Sequence, residues 1–67
     1  MENKDRRVRK TREVLKKSLI SLMKEKNINS ITVKELCEKA DINRGTFYLH
    51  YVDVVNILNE LEEELFK

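Results

Sequence analysis

Apolar residues fall along the 67-residue chain at helical spacing, with no long alternating run. Leu15, Leu19, Leu22 and Met23 make one stripe, widened by Val14 and Ile20, and predict a first helix from about Lys10 to Lys26. Asn27 then offers a left-handed stop, because Asn tolerates positive φ better than most side-chain-bearing residues. In the loop "NINS", Ile28 is expected beneath the helices. A second helix opens in "TVKE", where Thr32 can cap it and Glu35 can reach back to complete a capping box. Val33, Leu36, Cys37 and Ala40 supply its apolar face. Asp41 to Asn43 is a tight turn, and Asn43 is a good N-cap for a third helix from Arg44 to Tyr51.

Read at about 100° per residue, Phe47 and Tyr51 share the inward face of that third helix, with Tyr48 at its edge as a half-buried aromatic. Gly45, Thr46, Leu49 and His50 fall on the opposite face. Asp53 can cap a fourth helix with a stripe of Val54, Ile57, Leu58, Leu61 and Leu65. The pattern stops in mid-stride at "ELFK", with Phe66 off the stripe, and so predicts a piece of a longer protein. The expected fold is all-α: a three-helix, homeodomain-like bundle with a helix-turn-helix in helices two and three, plus the start of a fourth helix. Residues 1–9 read as a flexible basic arm, 10–52 as the helix-turn-helix domain and 53–67 as a connection to a further domain.

Composition narrows the function. One Gly, no Pro and 39% charged residues fit a helical domain. A chain this short supports one small core worth about 3 to 5 kcal/mol, with no room for a buried enzyme cleft. Cys37 stands alone, so it forms no internal disulfide and reads as a packing residue in a reducing cytoplasm. His50 is the only histidine and has no partner at ligand spacing, so neither a metal nor another cofactor is expected. No membrane span or secretion signal is present in the pattern. Charge is uneven: residues 1–17 hold eight Lys/Arg against three acids, and residues 53–67 hold five acids against one Lys. A basic arm opposite an acidic end suggests a polyanion on one side only.

Gly45 sharpens that suggestion. Glycine inside a helix costs about 1 kcal/mol relative to alanine, and nothing in "DINRGTFYLHY" calls for a turn at that position. A face of one glycine, hydrogen-bonding side chains and an unprotected Leu49 is poor for solvation and well suited to a major groove. Readers of the groove need short side chains where the backbone comes close, donors for base edges and apolar groups for the thymine methyl. Free N–H groups at the start of the helix also favour a phosphate.

The segment "SITVKELCEKADINRGTFYLHYVDVVNIL" resembles the DNA-binding domain of TetR/AcrR-type bacterial transcriptional repressors, and "TREVLKKSLISLMKEKNINSIT" is similar to that family's first helix and loop. The resemblance covers about residues 10–58 and is most specific in "RGTFYLHY". It implies that Thr32 and Lys34 contact phosphate or the groove edge, and that Arg44, Gly45 and Thr46, beside the capping Asn43, lie against bases. Tyr48 and His50 would bind phosphates, and Leu49 would face the DNA. Arg44 is the expected reader of a guanine, since a bidentate Arg contact is the commonest specific one. The family's partners would be a palindromic double-stranded operator, a second subunit and, through a larger C-terminal domain, a small-molecule effector. Asn27 and Asp41 stand where the family usually has glycines, and Val54 where it has a lysine. The competing reading is a helical protein-interaction module using the apolar stripe of the fourth helix. An enzyme is the weakest reading, because Cys37 and His50 fall on different helices.

Overall fold

The computed structural model describes residues 2–65 as four α-helices: α1 (Glu2–Met23), α2 (Val33–Ala40), α3 (Arg44–His50) and α4 (Val54–Leu65). Phe66 and Lys67, to which the fourth helix was expected to run, lie outside the described residues. The architecture is the expected all-α bundle with a helix-turn-helix in α2 and α3. A single 3-10 turn, Ile28–Ser30, joins α1 to α2.

One apolar cluster holds the elements together. Leu15, Leu19 and Leu22 from α1 meet Leu36 and Cys37 from α2, Phe47 from α3, Tyr51 just past its end, and Val54 and Ile57 from α4. Leu15, Leu19, Leu36, Phe47 and Ile57 are fully buried. Each removes roughly 1.5 to 3 kcal/mol worth of apolar surface from water, so the core rests on a few side chains. Ile28 packs partly against this cluster as expected, but the loop residue that enters it is Ile31.

The local signals that end the helices are largely the expected ones. Thr32 has extended backbone, and its hydroxyl accepts from Glu35 N at 3.0 Å. The reciprocal half of the capping box is replaced: the Glu35 carboxylate takes Lys26 Nζ at 2.7 Å. Asp41 adopts the left-handed conformation (φ 58°, ψ 45°) that closes α2, and its N–H donates to the carbonyls of Cys37 and Glu38. Asp53 Oδ1 accepts from Asn56 N at 2.8 Å, while Asn56 Oδ1 accepts from Val52 N at 3.0 Å, so the start of α4 is capped from both sides.

Two expectations need correction. α1 begins at Glu2, not near Lys10, and ends at Met23, so basic residues assigned to a flexible arm lie on the helix. The segment "ENKDRRVRK" is rich in Lys and Arg, which rank just below alanine as helix formers, and it contains neither Gly nor Pro to stop propagation. Asn27 is not left-handed. Its backbone is extended (φ −67°, ψ 144°), and its side chain caps the 3-10 turn by accepting from Asn29 N at 2.9 Å.

Candidate nucleic-acid interface

α3 is a seven-residue helix set against the core by one face. Phe47 is fully buried and Tyr51 nearly so, their rings 5.9 Å apart, as the angular reading requires. The opposite side carries the exposed residues, but its centre differs from expectation. Leu49 is 80% exposed and Val52, just past the helix end, 76%. Tyr48 is 56% exposed, standing edge-on to Phe47 with ring centroids 5.2 Å apart, so it is about half covered at the edge of the inward face, as expected. Thr46 and His50 are partly covered. The outward stripe therefore runs through Gly45, Tyr48 and Leu49, three and four residues on from Gly45 along one side of the helix, while Val52 is exposed beyond it, after the extended Tyr51.

At the other end, Asn43 has extended backbone, and its Oδ1 accepts from Gly45 N at 2.6 Å. That bond uses the Gly45 N–H, so this donor is not free for a phosphate as the sequence suggested. The Asn43 side-chain amide has no partner among the described residues and can still donate outward. Thr32 is likewise committed through its hydroxyl to capping α2. Gly45 has no positive φ. An added Cβ there would meet only Asn43 Oδ1, at 3.0 Å, and otherwise open space.

Lys34 and Arg44 come together across the turn. With Asn43, Asp41 and Ile42 they line a shallow cleft of about 430 Å³ on the outer side of the helix-turn-helix. Neither is ion-paired to a carboxylate among the described residues, whereas Lys26, Lys16 and Arg12 all are. Glu38 and Asp41 line the same cleft, so its formal charge is balanced, and Lys34 and Arg44 offer a polyanion local contacts without a net positive field. Cys37 lies at the base of the cleft. Burial pushes its thiol pKa up and the Arg44 charge pulls it only partly back, so it is an inert packing residue. Thr32, Thr46, Tyr48, Leu49 and His50 lie outside the cleft, the last four continuing along α3. All nine residues singled out from the sequence reach solvent at least in part.

Sequence reasoning missed two features. Val52 is an exposed apolar residue just beyond α3 and was passed over because it follows the helix. A polar cluster also ties α1 to α4 and to the end of α3. Glu60 Oε2 accepts from the Tyr51 hydroxyl at 2.7 Å, Glu60 Oε1 from Arg12 Nη1 at 3.4 Å, and Lys16 pairs with both Glu60 and Glu64. The Arg12 guanidinium also sits 5.5 Å from the centre of the Tyr51 ring. Burial, and then the bond to Glu60, push the Tyr51 hydroxyl pKa well above its ordinary value. Burial alone would push the Glu60 carboxyl up, but the Tyr51 hydrogen bond and the Lys16 and Arg12 charges hold it below the usual range. The signal was present as opposite charges four residues apart, Arg12 and Lys16 against Glu60 and Glu64.

Among the described residues no group of His, Cys, Asp and Glu is placed to hold a metal, and no helix is long and apolar enough to cross a membrane.

The class defined by this geometry is a small helix-turn-helix domain with an exposed second helix. The chain is similar to the uncharacterized HTH-type transcriptional regulator YxbF of Bacillus subtilis (strain 168), with 39% identity over 51 residues that make up 76% of this chain. Those residues span only 13% of that protein's length. No family model matches the chain, and no solved structure matches it.

Proposed function

We propose that this domain reads double-stranded DNA through α3, as the DNA-binding part of a bacterial transcriptional regulator of the TetR/AcrR kind, acting as a repressor. The observation that carries the reading is the outer stripe of α3: an open glycine, an exposed tyrosine and an 80%-exposed leucine beside two unpaired cations. Exposed Leu49 suits a thymine methyl, Arg44 a guanine edge, and Lys34 and Tyr48 the phosphates. Thr46 and His50 flank the groove, and Thr32 and Asn43 fix the helix starts at the backbone. The likeness to a helix-turn-helix transcriptional regulator supports the same reading.

One such helix reaches only a few base pairs. Helix-turn-helix proteins gain affinity by placing two of them in successive major grooves about 34 Å apart. In this reading a homodimer on a palindromic operator is the functional unit, and pairing and effector binding belong to a larger protein. The 67-residue domain alone binds its preferred duplex only in the micromolar range at physiological salt, and loses affinity steeply as salt rises. Selection from a random duplex pool with an artificially dimerised form, followed by titration of monomer and dimer at two salt concentrations, tests this. A tight, salt-insensitive complex of one monomer with DNA refutes it.

A second reading has one observation in its favour. Ile20 and Met23 of α1 and Leu58, Leu61 and Leu65 of α4 line an apolar groove of about 440 Å³, as a helical protein-interaction module would. Failure to bind any duplex at low salt and high micromolar protein favours that alternative.

A further inference from the structure

α3 has little to fix its orientation. It is seven residues long, it packs chiefly on α2, and only Phe47 along its length is buried. Apolar burial is non-directional and fixes depth better than angle, whereas a hydrogen bond weakens steeply when its angle is lost. Among the described residues, the one side-chain hydrogen bond from the end of α3 to the other helices is that of Tyr51. This residue closes α3 by donating its backbone N–H to the Phe47 carbonyl at 3.0 Å, and its hydroxyl donates to Glu60 on α4 at 2.7 Å. Glu60 is in turn held by Arg12 and Lys16 of α1. Arg12 also lies against the Tyr51 ring, so ring and hydroxyl are both fixed.

We propose that Tyr51 is the positioning residue of the DNA-reading helix, its hydroxyl locking the C-terminal end of α3 to a polar hub of Glu60, Arg12 and Lys16 and thereby setting the angle at which α3 meets a groove. The proposal rests on the DNA-reading function given above. The hub lies on the inner side of α3, so none of its members need touch DNA. Phosphate attraction through Lys34 depends weakly on helix angle, but base-edge contacts depend on it strongly. Loss of the hydroxyl therefore degrades discrimination while leaving non-specific binding in place.

The test uses the 67-residue chain and a duplex selected with the wild type from a random pool. Tyr51→Phe is compared with wild type on that duplex and on a scrambled one, at a temperature where circular dichroism shows both proteins fully folded. The expected result is a fall of about tenfold in the specific-to-scrambled affinity ratio, equivalent to one lost base-edge contact. Affinity for the scrambled duplex and its salt slope stay unchanged. Glu60→Gln, which keeps an acceptor for Tyr51, should preserve the ratio. Glu60→Leu should lower it as Tyr51→Phe does, and the double variant Tyr51→Phe/Glu60→Leu should be no worse than either. Equal proportional losses on both duplexes, or an unchanged ratio in Tyr51→Phe, overturn the proposal. A wild type that selects no sequence overturns the DNA-reading function itself. The tether is then judged separately by amide hydrogen exchange: protection of α3 falling relative to α2 in Tyr51→Phe supports it, and unchanged relative protection removes it.

Discussion

Replacement of Gly45 separates what the fold requires from what a ligand requires. An added Cβ would stand 3.0 Å from Asn43 Oδ1 and close to nothing else. That oxygen must retreat by a few tenths of an ångström. It has room to do so, because its bond to Gly45 N is only 2.6 Å long and retreat brings it toward the ordinary length of about 2.9 Å. Alanine at a helical position gains about 1 kcal/mol over glycine. If the Asn43 cap were lost outright, the cost would be about 1 kcal/mol, within a range of roughly 0.5 to 2. Gly45→Ala should therefore lie between neutral and about 1 kcal/mol more stable, raising Tm by up to roughly 4 to 8 °C in a domain of this size. Urea and thermal unfolding measure it directly. Gly45→Leu should remain folded but bind duplex DNA more weakly, because its side chain projects where the groove would be. A clearly destabilised Gly45→Ala would mean that crowding of the cap, and not DNA, explains the glycine. Unchanged duplex affinity in Gly45→Leu would remove the close-approach argument.

Two further predictions follow from the cations and the polar hub. Arg44→Ala should lose about 1 to 3 kcal/mol of discrimination at one base-pair position, whereas Lys34→Ala should weaken all duplexes alike and flatten the salt slope by about one; binding titrations over a set of single-position duplex variants decide, and uniform losses in both refute the base-reading role of Arg44. Stability should decline at both ends of the pH scale. Glu60 has a folded pKa below its ordinary 4.5, so its contribution is present above that value and is lost as pH falls through the folded pKa. Lys16, raised mainly by its bond to Glu64, contributes fully below its ordinary 10.5 and loses that contribution as pH rises through the folded pKa above it. Tyr51, whose neutral form is favoured by burial, adds to the alkaline loss. Denaturation across pH should show a shallower acid limb in Glu60→Gln than in wild type, and identical limbs would refute the assignment.

The parts of this molecule that were legible in its sequence are those that depend on neighbours along the chain. The stripe of Leu15, Leu19 and Leu22 and the caps Thr32, Asn43 and Asp53 each follow from local sterics and hydrogen bonding, and each is present. The inward pair Phe47 and Tyr51 followed from helical periodicity alone. Tyr48, placed by the same periodicity at the edge of that face, is about half exposed with its ring edge against Phe47. The start of α1 was illegible because a run of good helix formers carries no boundary. The hub was illegible for another reason. Its charges are i, i+4 pairs on two helices 48 residues apart, and only the crossing of those helices decides that they meet.

That separation bears on the order in which the protein is made. α1, α2 and α3 are all synthesised before Glu60, and a domain generally folds as a unit, not helix by helix. α2 and α3 have eight and seven residues, too short to persist alone when isolated helices below about 12 residues are marginal in water. Until α4 is added, Leu15 and Leu19 lack Ile57, and the Tyr51 hydroxyl has no acceptor. A nascent chain carrying every residue of the outer stripe of α3 thus still lacks part of the core and the acceptor for Tyr51. On the proposed DNA-reading function, the angle of α3 that discrimination needs is set only once α4 closes against α1.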